Sequence, residues 1–87
     1  MRIWFKTWEN NHMLRDYTYE DYSEETRTHK IFKGLETACY NFDLSKPIWL
    51  DSTIKDFKRN GKARFTKDAF VEEIDFDYLE IQIIEED

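Results

Sequence analysis

Hydrophobic and aromatic positions in the first twenty residues fall into two runs, "RIWFKTW" and "MLRDYTYE", which are separated by the polar letters "ENNH". β-Branched and aromatic residues are enriched in strands, and Asn tolerates the left-handed backbone that tight hairpin turns need. The pattern therefore predicts a β-hairpin that turns at Asn10 and Asn11.

A two-residue turn at this place also predicts a register. It pairs the following residues across the hairpin: Trp8 with Met13, Lys6 with Arg15, Trp4 with Tyr17, and Arg2 with Tyr19. That register gathers them on one aromatic and basic face, with Ile3, Phe5 and Leu14 on the other. A loop of three residues would flip one strand relative to the other, and the sequence does not decide between the two registers.

The stretch "SEETRTHKIFKGLETACYNF" predicts the first helix, since apolar residues recur at steps of four, three and four. Ser23 or Thr26 can cap its start. Gly34 weakens it by about 1 kcal/mol and suggests close packing at that point. A second, short helix is predicted in "STIKDFKRN", with Asp51 or Ser52 as its cap and Gly61 at its end.

The remaining segments predict a connection and a return to the sheet. Pro47 excludes helix just before it, and Ile48 to Leu50 are expected to plug the core from a short extended piece. "KARFTKDAFVEEI" fits either a strand with a turn or a short helix. "FDYLEIQII" predicts a strand with apolar residues on both faces, which places it inside the sheet or at an interface.

Together these elements predict one α+β domain over residues 1–87. We expect an antiparallel sheet of about four strands, of undetermined order, with two helices on one face and the chain order β-β-α-α-β-β. The predicted core comprises Ile3, Phe5, Ile31, Leu35, Ala38, Phe42, Ile48, Leu50, Ile54, Phe57, Leu79, Ile81 and Ile83.

Aromatic residues make up 17% of the 87 positions, which is more ring surface than one small core can hide. We therefore expect some rings at the surface, where Trp and Tyr dominate binding hot spots. The sequence predicts a non-enzymatic module that binds a protein partner or itself, with a homodimer expected. The candidate interaction residues are Trp4, Trp8, Tyr17, Tyr19, Trp49 and Tyr78.

Charge is unevenly distributed along this chain of net charge −6. A candidate basic patch comprises Lys55, Lys58, Arg59, Lys62 and Arg64, and a candidate acidic patch comprises Glu72, Glu73, Asp75, Asp77, Glu85, Glu86 and Asp87. The two segments could simply attract each other. The acids bracket the last strand, an arrangement that keeps an apolar strand from pairing with its copies. An acidic inhibitor of a nucleic-acid-binding protein is an alternative.

A second alternative is a module that binds single-stranded nucleic acid. The predicted hairpin face combines rings that can stack on bases with cations that can contact phosphate. Against it, the sequence pI of about 4.9 disfavours long-range attraction to phosphate.

The sequence contains few residues in arrangements that could support catalysis or bind a metal. His12, His29 and Cys39 are too few and too scattered for a structural zinc site, and two glycines make no phosphate-binding loop. We predict no enzyme activity, no metal and no cofactor. One cysteine, no signal peptide and no long apolar run predict a cytoplasmic protein without membrane association.

The blocks "NFDLSKPIWLDSTIKDFKR" and "FVEEIDFDYLEIQIIEED", together with "THKIF", resemble a group of short uncharacterised proteins of Gram-positive anaerobic bacteria. The resemblance spans the C-terminal half and includes no catalytic motif. It implies a bacterial cytoplasmic origin and assigns no activity and no functional residue.

Overall fold

The computed structural model describes residues 1–87 as one antiparallel sheet with two helices. The elements are β1 (Arg2–Glu9), β2 (His12–Glu20), α1 (Arg27–Asn41), α2 (Asp51–Asn60), β3 (Lys62–Thr66), a 3-10 turn (Lys67–Ala69) and β4 (Tyr78–Glu85). The strands lie in the order β2-β1-β4-β3. The α+β prediction and the element order are confirmed, and the ambiguous segment after Gly61 is a strand followed by a short 3-10 turn.

The hairpin turns where the sequence predicts, since Asn10 and Asn11 have φ angles of 50° and 64°. Trp8 faces Met13 as predicted, but Thr7 faces Arg15, so Leu14 is an extra residue in β2. Such a β-bulge shifts everything beyond it by one position.

The other three predicted pairs, Lys6–Arg15, Trp4–Tyr17 and Arg2–Tyr19, are therefore wrong. Phe5 faces Tyr17 and Ile3 faces Tyr19 instead. Because side chains alternate along a strand, the bulge places both tyrosines on the side of Ile3 and Phe5. Trp4, Lys6 and Trp8 lie on the opposite side.

Helix α1 packs on the sheet through the predicted apolar stripe. It begins at Arg27, and the Thr26 side chain accepts a hydrogen bond of 3.1 Å from the backbone N–H of His29, as a cap should. A Cβ atom at Gly34 would lie 2.8 Å from the ring of Tyr19. The glycine therefore permits α1 to approach β2 closely.

Helix α2 ends as predicted at Gly61, whose φ of 65° is the left-handed conformation of a helix stop. Its start differs from the prediction. Leu50 holds the N-cap position, and no side chain caps the helix, so neither Asp51 nor Ser52 has that role. Phe57 is buried beneath the helix, whereas Ile54 is only partly buried.

The core lies between the sheet and the helices. Nine of the predicted core residues are buried there: Ile3, Phe5, Ile31, Leu35, Ala38, Phe42, Phe57, Leu79 and Ile81. Leu50 and Ile83 pack against its margin. The prediction that Ile48 belongs to the core is wrong, since its side chain is 52% exposed. The neighbouring Trp49 turns inward in its place, with its ring centroid 4.8 Å from that of Phe65.

The segment from β3 to β4 supplies core residues that the sequence pattern did not predict. The buried hydrophobic residues of this segment are Ala63, Phe65, Ala69, Phe70, Ile74 and Phe76. Much of it is neither helix nor strand, so its apolar positions follow neither a period of two nor one of 3.6.

An ion cluster joins the two ends of the chain. Lys30 is only 1% exposed, and its ammonium group donates to the Asp87 carboxylate, which also accepts from the amino group of Met1. The hydrogen bond from Lys30 holds the pKa of Asp87 below its usual value. A buried cation is costly unless it is paired, so this contact stabilises the fold at neutral pH.

Candidate interaction surface

One side of the sheet is not covered by either helix, and we call it the open face. Its centre consists of three cross-strand pairs of β1 and β4: Trp4 with Gln82, Lys6 with Glu80, and Trp8 with Tyr78. Its margins are formed by β2, with Thr18 and Asp16, and by β3, with Lys62 and Arg64. The open face therefore holds three of the six predicted interaction residues.

A nearly buried ion pair lies at the centre of the open face. The Lys6 Nζ atom lies 3.0 Å from Oε1 of Glu80, and both side chains are only 7% exposed. Nζ also donates a hydrogen bond of 2.9 Å to Gln82. Such burial is unusual on a sheet face without a helix above it, because charged side chains rarely leave water.

The indoles of Trp4 and Trp8 provide the cover. The Lys6 Nζ atom lies 3.9 Å from the centroid of the Trp4 ring, a cation–π contact. On the other side of the ion pair, the indole N–H of Trp8 donates a hydrogen bond of 3.0 Å to Glu80. The ion pair and the two rings thus hold one another in place.

The polar edges of both indoles are satisfied within the protein. The indole N–H of Trp4 donates to Asp16 over 2.9 Å, and that of Trp8 is bonded to Glu80. Trp8 also stacks on Tyr78, with centroids 6.5 Å apart, and the Arg64 guanidinium lies 4.6 Å above the Tyr78 ring. A partner can therefore cover these half-buried rings without having to supply new hydrogen bonds to the indoles.

The other three predicted interaction residues lie in the helix layer. Tyr17 and Tyr19 pack against the core, and burial, aided by the Asp21 carboxylate, raises the pKa of Tyr19. Trp49 packs between Phe57 and Phe65. The bulge at Leu14 separates the tyrosines from Trp4 and Trp8, so the predicted hairpin face of four rings does not exist.

The residues of the candidate basic patch lie on two different surfaces of the protein. Lys62 and Arg64 belong to the open face, whereas Lys55, Lys58 and Arg59 lie on α2 in the helix layer. All five are exposed. They do not form one flat surface.

The candidate acidic patch is divided as well. Glu72, Glu73 and Asp75 line a depression of about 510 Å³ together with Arg15 and residues near the end of α1. Asp77 lies beside the hairpin turn, where it accepts a hydrogen bond from the backbone N–H of Asn10.

The acids at the end of the chain, Glu85, Glu86 and Asp87, lie at the other end of β4. There they contact Tyr22, Arg27 and Lys30. The eight residues of β4 hold the two acidic groups about 25 Å apart.

Sequence reasoning missed Asp16 and Thr18 of β2, which the bulge moves onto the open face, and Glu80 and Gln82 of β4. Glu80 and Gln82 could have been recognised from the sequence, because they are polar residues in the middle of the apolar run "YLEIQII". A charged residue at the centre of an inner strand implies a partner on a neighbouring strand. The partner, Lys6, is identified only by the order β1-β4, which the sequence does not show.

Reactive groups contribute nothing to the open face. Burial raises the pKa of the Cys39 thiol to about 11, so it is protonated at neutral pH and a poor nucleophile. No three His, Cys, Asp or Glu side chains come together as a metal site.

Both helices lack the length and apolar character that crossing a bilayer requires.

Comparisons with protein-family models, with curated proteins and with solved structures found no match to this chain.

Replacement of Lys6 by Met tests whether the ion pair organises the open face. Lys6→Met leaves the Glu80 carboxylate under Trp8 with only Lys62, 3.8 Å away, as a cation. We expect a loss of about 3 kcal/mol of unfolding free energy in urea titrations. The double variant Lys6→Met/Glu80→Met should recover most of that loss, since hydrophobic replacement of both partners is often neutral. A single variant that loses less than about 0.5 kcal/mol, as at an ordinary surface position, would contradict the account.

Proposed function

We propose that this protein is a non-enzymatic interaction module that self-associates through the open face. The observation that best supports this proposal is the pair of half-buried indoles, Trp4 and Trp8, on the side of the sheet without helices. The two indoles cover the central ion pair, and the exposed charges of Asp16, Lys62 and Arg64 lie at the margins, as in interfaces with an apolar centre and a polar rim.

The order of charges across the open face supports a second copy of the chain as the partner. From β2 to β3 the central row reads Asp16, Lys6, Glu80, Arg64, which alternates negative and positive. When the row is taken in the reverse order, each position carries the charge opposite to that of the original row. A second copy turned over onto the first therefore brings opposite charges together.

A two-fold axis that runs parallel to the strands, between two facing sheets, produces this arrangement. It places β1 of one protomer over β4 of the other, and β2 over β3. Asp16 then faces Arg64 of the second copy. Lys6 and Glu80 stay paired within each protomer beneath the indoles, so the contact at the centre is made by the rings that cover them. The same patch serves on both protomers, as two-fold dimers require.

The size of the open face determines what kind of dimer we expect. Four strands with the usual spacing and a length of about 27 Å give a flat footprint of roughly 500 Å². Specific interfaces commonly remove about 800 Å² of accessible surface from each partner. The open face is at the small end of that range, so we expect a reversible dimer.

Charge reversal at the margins of the open face tests this dimer. Arg64→Glu places two acids opposite each other, and Asp16→Arg places two bases opposite each other, so each variant should shift the protein to monomer in sedimentation velocity. The double variant Asp16→Arg/Arg64→Glu restores opposite charges across the interface and should dimerise again. Lys55→Glu, on α2, is the control for Arg64→Glu, since it makes the same change of charge outside the open face, and it should behave as wild type.

Two outcomes of this series would overturn self-association. One is a wild-type protein that stays monomeric at every concentration from micromolar to millimolar. The other is a double variant that remains as monomeric as the single variants, because the rescue depends on the facing pairs themselves.

Single-stranded nucleic acid is the second candidate occupant of the open face. The favouring observation is that the Arg64 guanidinium lies 4.6 Å from the centre of the Tyr78 ring, which stacks on Trp8, so bases could stack beside a cation. Asp16 and Glu80 on the same face oppose it, since they repel phosphate. A titration with fluorescent oligothymidylate of twelve nucleotides should show no saturable binding at low salt. Binding that weakens steeply with salt would favour this candidate over the dimer.

The third candidate, an acidic inhibitor that imitates nucleic acid, lacks geometric support. Its carboxylates lie in two groups at opposite ends of β4 and do not form a continuous line.

A further inference from the structure

A groove lies in the helix layer, on the opposite side of the sheet from the open face. It has two adjoining compartments, of about 690 Å³ and 230 Å³, and both are lined by Phe32 and Trp49. The larger lies between α1 and the segment around Pro47, and the smaller lies between α1 and α2. The two compartments adjoin along α1.

The floor of the groove is apolar. Leu35 and Pro47 line the larger compartment, and Ile54 and Phe57 line the smaller one. Phe32 is 54% exposed between the two. An exposed ring beside a concave apolar surface is a suitable anchor for a partner, because burying it removes apolar surface from water.

Trp49 differs from the two tryptophans of the open face. Its indole N–H is buried and has no hydrogen-bond acceptor, so packing against Phe32, Phe57 and Phe65 alone holds the ring. The centroids of Phe32 and Trp49 are 6.3 Å apart. The two rings form a shared apolar ridge between the compartments.

The rim of the groove is basic, although the whole protein is acidic. Its charged side chains are Arg27, Lys33, Lys46 and Lys58, with His29 and a single acid, Glu36. Without the histidine the lining residues carry a net charge of 4 − 1 = +3, and the adjacent acids Glu86 and Glu25, which contact Arg27 and His29, reduce it to +1, against −6 for the whole chain. The groove therefore attracts acidic groups that most of the remaining surface repels.

The cations of the rim are paired only weakly within the protein, so they remain available to a partner. Lys46 and Lys33 share Glu36 at 3.4 Å and 3.7 Å, and Arg27 meets Glu86 at 3.3 Å. All of these side chains are at least half exposed, and pairs of that kind contribute little and exchange readily. Lys58 makes no ion pair.

From this combination we infer that the groove binds an amphipathic helix of another protein, with an apolar face flanked by Asp and Glu. The apolar face covers Phe32 and Trp49, and its carboxylates meet the basic rim. Helix-in-groove recognition relies on these two complementarities. The groove and the open face lie on opposite sides of the sheet, so a dimer through the open face leaves the groove free.

A designed peptide can test the inference. The probe is a fluorescent, end-capped peptide of 18 residues in which Leu and Phe form one helical face and Glu the other, and the control peptide has Lys in place of Glu. We expect saturable binding of the acidic peptide, observed by fluorescence anisotropy, and weaker binding as salt rises. The basic peptide should not bind. In ¹⁵N-labelled protein the shifted resonances should be those of residues lining the groove.

Matched variants locate the contact. Phe32→Ala should raise the Kd about tenfold or more, as loss of an aromatic anchor does. Lys58→Glu should raise it severalfold. Lys55→Glu makes the same change of charge on the same helix, outside the groove, and should leave the Kd within about a factor of two. All three positions are exposed, and a wild-type-like ¹⁵N spectrum confirms that each variant is folded.

Several results would overturn the inference. They are the absence of saturable binding, equal binding of the basic peptide, equal effects of Lys55→Glu and Lys58→Glu, or shifts confined to the open face. Oligothymidylate that displaces the acidic peptide and shifts the same resonances would assign the groove to nucleic acid instead. Failure of the dimer variants leaves this test unaffected, because it monitors different residues.

Discussion

A four-stranded sheet with helices on only one side can bury only one of its faces, and this constraint determines where the rings of this protein lie. The helix layer encloses Phe5, Phe57 and Phe65 within a core of 17 buried hydrophobic residues. The remaining ring surface has to be placed elsewhere. Part of it lies on the open face and part in the groove beside Trp49, the two surfaces for which we propose partners, while Tyr22 and Tyr40 are exposed outside both.

The pair of Lys6 and Glu80 makes the open face an ordered surface. Without it, Trp4 would be oriented only by its hydrogen bond to Asp16 and Trp8 only by stacking on Tyr78. With it, each indole covers one charged group and both indole N–H groups are bonded. Rings that are already fixed lose little side-chain entropy when a partner covers them, which favours binding.

Local signals were sufficient to predict much of the fold. Asn10 and Asn11 specify the turn, Thr26 caps α1, Gly61 ends α2, and the doubly apolar strand lies inside the sheet as β4. Each of these features depends on residues close together in the chain. Sequence patterns are informative for that reason.

The composition of the candidate site could be predicted only in part. Trp4, Trp8 and Tyr78 were identified by their residue type, but the bulge at Leu14 moved Tyr17 and Tyr19 to the other face. A bulge depends on how a whole strand fits its neighbour, and no local residue pattern specifies it. Glu80 required the order β1-β4, which is a long-range property of the fold.

The indole N–H resonances of the three tryptophans provide the most direct test of the central claim that surplus ring surface on the open face mediates self-association. ¹H–¹⁵N spectra recorded over a range of protein concentrations should show the signals of Trp4 and Trp8 shifting as dimer forms, while that of Trp49 stays constant. Signals of Trp4 and Trp8 that do not change with concentration, or a change confined to Trp49, would contradict the account.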